Sequence, residues 1–153
     1  MGSGYVSSAS SIAPSTFISS VAREVTEHYA ALGKPPRGHT RGRLAQFWWG
    51  PLAAIHYEVW LHERDLRLEL GLHFESSATT NQELYKAFGQ HLLEIQYELG
   101  ESIWVEEWDK GWTRIYETQP LFPMDEARVY AVAGRLCEII DCLQPILEEL
   151  GAE

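Results

Sequence analysis

The sequence predicts an α+β fold: an antiparallel sheet of four or five strands with helices mainly on one face, in the order α-(β)-β-β-α-β-β-α. Three observations carry that prediction. Apolar and polar residues alternate strictly on both sides of Glu63-Arg64-Asp65, and a second alternating pair flanks Asp109-Lys110-Gly111. Three longer segments repeat apolar residues at three- and four-residue spacing, the period of a helix with one buried stripe. With 153 residues and 45% hydrophobic content, the chain can bury one core and is short for two.

Met1 to Ala13 is rich in Gly, Ser and Ala and lacks the basic start and apolar run of a secretory signal. It reads as a disordered leader ahead of a single domain over residues 14–153. Phe17, Val21, Val25, His28 and Leu32 then define a helix over 15–32, with Ser15 as N-cap and Gly33 as stop. Two prolines make Lys34-Pro35-Pro36-Arg37-Gly38 a connecting loop, since they remove backbone donors and restrict the residues before them. Arg43 to Trp49 is a short optional strand ended by Gly50-Pro51.

The first hairpin is the clearest element. Ile55, Tyr57, Val59 and Leu61 share one side of the first strand, with His56, Glu58, Trp60 and His62 on the other. Leu66, Leu68, Leu70, Leu72 and Phe74 face the same way as the first set, against Arg67, Glu69, Gly71, His73 and Glu75. A two-residue turn puts Glu58 opposite Glu69, whereas a four-residue loop puts His56 opposite His73. Both keep the apolar faces together, and a three-residue loop does not.

Thr80-Asn81-Gln82-Glu83 has the spacing of a capping box, opening a helix over 81–99 with the stripe Leu84, Phe88, Leu92, Ile95 and Leu99. In the second hairpin, pairing Trp108 with Trp112 sets Glu106 against Arg114 and Trp104 against Tyr116 on one face, and Val105 against Ile115 on the other. Asp125 caps a last helix through Val129, Leu136, Ile140, Leu143 and Leu147, which Pro145 should kink.

The net charge of −10 is uneven: residues 1–43 carry five Lys/Arg against two Glu, leaving seven Lys/Arg against twenty Asp/Glu in the rest. The acidic body repels nucleic acid, so Lys34, Arg37, Arg41 and Arg43 form the one candidate anion patch. Cys137 and Cys142 point to different faces of a helix and read as reduced, which suits the cytoplasm. The longest apolar stretch, Phe47 to Ile55, is far below the roughly 18 residues of a spanning helix.

If the hairpins share one sheet, its polar side gathers the candidate site. His56-Tyr57-Glu58 and His73-Phe74-Glu75 each aim an imidazole and a carboxylate to one side of a strand, a set able to offer nitrogen and oxygen to a divalent ion. His56, Glu58, Glu69 and His73 are the candidate ligands. Trp60, Trp104, Trp108, Trp112 and Tyr116, with Arg67 and Arg114, instead suggest a surface for a partner segment or a homodimer contact, because large amphipathic rings seek cover. There is no nucleophile elbow, P-loop or dinucleotide fingerprint.

In element order, size and acidity, residues 15–150 resemble the small type III secretion chaperones, which implies a homodimer wrapping an extended client segment. The run from Ile55 to Thr118, with Glu83-Leu84-Tyr85 opening its helix and Trp104 to Ile115 in its second hairpin, is similar to an uncharacterised domain found C-terminal to predicted restriction-type nucleases. The first expectation is thus a non-catalytic, homodimeric protein-interaction or chaperone-like module, with no cofactor. A metal-dependent hydrolase at the His/Glu cluster, using a divalent metal, stands beside it. The third is an accessory nucleic-acid-binding domain.

Overall fold

The computed structural model describes residues 11–151. These form helices α1 (Pro14–Ala31), α2 (Ala78–Gln90), α3 (Leu92–Leu99) and α4 (Glu126–Glu149). The strands are β1 (Arg37–Arg41), β2 (Leu44–Trp48), β3 (Ile55–His62), β4 (Arg67–Phe74), β5 (Trp104–Glu107) and β6 (Thr113–Pro120). All six strands join one antiparallel sheet in the order β1-β2-β3-β4-β6-β5. The fold class is the expected one, but the sheet has six strands instead of four or five.

The additional strand lies where a loop was expected. Arg37 and Gly38 open β1, whose five residues are all exposed, so no apolar period marks it. A two-residue turn at Gly42-Arg43, with Gly42 at φ 57°, returns the chain into β2. That backbone angle costs glycine nothing and most other residues a strained conformation.

The β3–β4 connection is the four-residue one: His62 pairs with Arg67, and His56 lies opposite His73. The second hairpin has the expected register, with Trp104 opposite Tyr116 and Glu106 opposite Arg114. Parity therefore puts Tyr57, Val59, Leu61, Leu68, Leu70, Leu72, Phe74 and Ile115 in the core.

Helices α1, α2 and α4 cover that apolar face. Phe17, Val21 and Val25 of α1 and Val129, Leu136, Ile140, Leu143 and Leu147 of α4 are buried in the same cluster. Glu117 is also buried, and Arg135 of α4 clamps it through Nε (3.1 and 3.0 Å) and Nη2 (2.6 Å). A carboxylate taken out of water needs such a partner.

Several boundaries differ from the expected ones. Helix α1 begins at Pro14 with Ala13 at its N-cap, and Ser15 instead accepts a bond from Ser19 Oγ at its carbonyl. The helix expected over 81–99 is two, broken at His91, and its cap is Ser77, whose Oγ accepts the Thr80 amide at 3.2 Å. Asp125 caps α4 as expected, and the helix runs through Pro145 to Glu149. Of the leader, residues 1–10 lie outside the described residues, while Ile12 packs on the core and donates to the Met124 carbonyl at 2.7 Å.

Candidate metal centre

The face away from the helices is built from cross-strand rows. His56, His73, Arg114 and Glu106 form one row, Gln46, Glu58, Gly71, Tyr116 and Trp104 the next, and Trp60, Glu69 and Thr118 a third. Glu75 follows β4 directly, its amide bonded to the Ala54 carbonyl at 2.9 Å, so it keeps the parity of His73. Gly71 is the gap in the middle. A Cβ there would come within 2.4 Å of the Ile115 carbonyl and 2.6 Å of Tyr116 Cβ. Its missing side chain lets β4 and β6 approach closely there, between Glu58 and Tyr116 of the same row.

They do so out of solvent. His56, Glu58, Glu69 and His73 are at most 4% exposed. The His56 and His73 rings stack at 5.7 Å with 15° between their planes. His56 Nδ1 lies 2.8 Å from the Ala53 carbonyl, which fixes the proton on that nitrogen. Its Nε2 then faces Glu58 Oε1 at 3.2 Å and Glu75 Oε1 at 3.8 Å. His73 lies between carboxylates on both edges, with Nε2 at 2.5 Å from Glu69 and 3.4 Å from Glu58, and Nδ1 at 3.1 Å from Glu75. The Gln46 amide nitrogen reaches Glu58 at 3.1 Å and braces it.

His56, Glu58, His73 and Glu75 each offer a ligand atom, and these atoms all lie within 4.8 Å of one another. Three of the four residues expected from the sequence are in that set. Glu69 adjoins it but is engaged by Arg114 (2.5 Å) and His62 (3.2 Å) as well as by His73. Glu75 takes its place. The second His-x-Glu already held that residue, and the four-residue loop aligns the two motifs.

The electrostatics follow from burial set against pairing. Burial alone pushes the His73 imidazolium down, but hydrogen bonds to Glu69 and Glu75 and the charges of Glu58 and Glu69 together raise it to about 9. Burial raises the Glu69 carboxyl, and its bonds to His62 and His73 with the charges of His73 and Arg114 bring it down to about 2. Glu58 is also lowered: burial opposes ionisation, and His56, His73 and Gln46 outweigh it.

The cover is aromatic. Trp108 meets His73 edge-on at 5.7 Å and lies near Trp60 and Trp112, while the Arg114 guanidinium stacks over Trp108 at 4.7 Å and Tyr116 at 4.0 Å. Buried Asn81 holds this cover in place. Its side chain bonds Ser76 and the Gly111 carbonyl, and Thr113 Oγ1 returns a bond to its backbone, tying α2 to the turn that carries Trp108. By sequence Asn81 falls within a capping box, which hides this role. A polar residue interrupting the first turn of an apolar stripe was its only signal. Among the described residues, buried Trp108 Nε1 and Arg114 Nε have no acceptor. An orphaned donor costs roughly 1–3 kcal/mol, so an added acceptor would be stabilising there.

The remaining candidates are dispersed. Of the five sheet-face aromatics, Trp104 alone is exposed, at 56%, on edge strand β5. Arg67 is exposed, bonds Thr118 Oγ1, and borders an open groove with Glu69, Arg114 and Tyr116. The four basic residues do not make one patch. Lys34 sits over the Tyr29 ring, Arg37 bonds the Gly50 carbonyl, Arg43 pairs with Glu63 at 2.7 Å, and Arg41 projects from β1. Cys137 and Cys142 are free, and burial first of all pushes their thiols up to about 11 and about 12. No helix among the described residues is long and apolar enough to cross a membrane.

No family model, no curated protein and no solved structure matches this chain.

Proposed function

We propose that the polar sheet face is a divalent-metal-binding centre, with His56, Glu58, His73 and Glu75 as ligands and Gln46, Glu69 and the Ala53 carbonyl as supports. The observation that carries this reading is the contact between His56 Nε2 and Glu58 Oε1. Nδ1 gives its proton to a carbonyl, so Nε2 turns a lone pair towards the carboxylate oxygen 3.2 Å away, and the two face each other as a pair of donor atoms beside the single Gln46 amide, the arrangement a metal ion would complete. Two imidazoles and two carboxylates suit zinc, iron(II) or manganese better than calcium or magnesium, which prefer all-oxygen shells.

The closed setting favours holding an ion over processing a substrate. Hydrolysis needs an open coordination position, and here Trp108 lies over His73 while the nearby groove reaches Glu69 and not the four donors. The homodimeric interaction module draws less support, because Trp60, Trp108, Trp112 and Tyr116 cover charges of their own chain and only Trp104 is left open.

Chelator-stripped protein titrated with Zn²⁺ and with Mn²⁺ in a calorimeter tests the proposal. One ion per chain is expected, with unfolding free energy raised by about 2.7 kcal/mol at a free-ion level near 100 times Kd. His56→Ala and Glu75→Gln should each weaken binding by at least roughly tenfold. Absence of saturable binding, or wild-type affinity in both variants, would refute it.

A further inference from the structure

A cavity lies on the opposite, helix-covered side of the sheet, apart from the metal centre. Trp49, which follows β2, stands nearly perpendicular to two tyrosine rings, meeting Tyr29 of α1 at 5.0 Å and 82° and Tyr57 of β3 at 6.0 Å and 76°. Tyr29 and Trp49 form walls of a cavity of about 120 Å³, closed on its other side by α4 through Asp141, Pro145 and Glu148. A cavity of roughly 150 Å³ takes a benzene-sized molecule, so this one suits a compact head group.

Its chemistry is that of a cation receptor. The Tyr29 hydroxyl donates to Asp141 Oδ1 at 2.7 Å, orienting that carboxylate at the cavity wall. Glu148 adds a second negative charge. Pro145 has no N–H, so the Asp141 carbonyl lacks the amide that would cap it within the helix. Aromatic faces with two carboxylates attract an ammonium group through the ring quadrupole and Coulomb forces together. The protein already supplies such a cation, since the Lys34 ammonium sits over the Tyr29 ring, 6.0 Å from its centroid. The Trp49 indole N–H bonds the Lys34 backbone carbonyl at 2.8 Å, so the wall is held by the lysine's main chain while its side chain can swing away.

We propose that this cavity binds an alkylammonium group, with the Lys34 side chain as an internal competitor at its mouth. The group could come from a free small amine or from a methylated lysine side chain of another protein, since both present the same head. The test follows the Trp49 indole N–H resonance by NMR while the intact chain is titrated with choline, with its uncharged carbon isostere 3,3-dimethylbutanol, and with a short peptide carrying trimethyl-lysine. Choline should shift that resonance saturably and the isostere should not. Lys34→Ala, which leaves the Trp49 bond to the main chain intact, should bind choline several-fold tighter, and Glu148→Gln, an exposed change, several-fold weaker. Tighter binding of the peptide than of choline assigns the source as a side chain; equal or weaker binding assigns it as a free amine. Equal binding of choline and the isostere, or no loosening in Glu148→Gln, would overturn the proposal, as would an unmoved Trp49 resonance in both wild type and Lys34→Ala.

Discussion

Gly71 shows most plainly how one residue shapes this site. It has an ordinary strand conformation, and what it contributes is the space its side chain would fill, since a Cβ would press on the backbone of β6 at Ile115 and Tyr116. Gly71→Ala should therefore lower unfolding free energy by about 1–3 kcal/mol, the usual cost of overpacking, and weaken metal binding with it. A denaturant melt matching wild type would show that β4 and β6 can part freely. His73 and Glu69 give the face its pH dependence. His73 is raised from 6.5 to about 9, so its stabilisation is complete below pH 6.5 and is lost as pH climbs through 9. Glu69 is lowered from 4.5 to about 2, so its stabilisation is complete above pH 4.5 and is lost as pH falls towards 2. For the metal-free protein this pair predicts greatest stability between about 4.5 and 6.5, declining on both flanks. Urea midpoints that stay level from 6.5 to 9 would contradict the charged state assigned to His73.

At the scale of elements, Arg135 and Glu117 join α4 to β6, and Arg135 also bonds the Leu99 carbonyl at the end of α3. Arg135→Ala leaves Glu117 buried without its partner and should cost about 3–5 kcal/mol, while the double change Arg135→Met with Glu117→Leu should recover most of it. Equal losses in the single and double variants, measured by denaturant melts, would show that packing and not charge carries the joint. The elements legible in the sequence are those with one wet and one dry face. Both hairpins follow parity, and the register that sets His56 opposite His73 was one of two the alternation allowed. Strand β1 was illegible because all its residues are exposed, and nothing in the Pro/Gly-rich composition around it signals a strand. The break at His91 was hidden by the stripe itself, since Phe88, Ile95 and Leu99 are buried on both sides of it. The candidate ligands were legible as two His-x-Glu pairs. Their burial was not, because it depends on Trp108 arriving from a hairpin 35 residues further along the chain from His73.

The whole molecule divides into two unlike surfaces on one sheet. Helices seal the apolar side, and the polar side seals itself with aromatic and guanidinium groups stacked over carboxylates and imidazoles. A chain with net charge −10 draws cations towards both sides and repels polyanions, in line with an ion on one face and an ammonium group on the other. X-ray absorption on the zinc-loaded protein reads directly whether His56, Glu58, His73 and Glu75 share one metal ion. The expected spectrum is a first shell of nitrogen and oxygen with the outer-shell signature of two imidazoles, losing one imidazole in His56→Ala and unchanged in Trp104→Ala. An all-oxygen shell, or a spectrum that His56→Ala leaves unaltered, would contradict it.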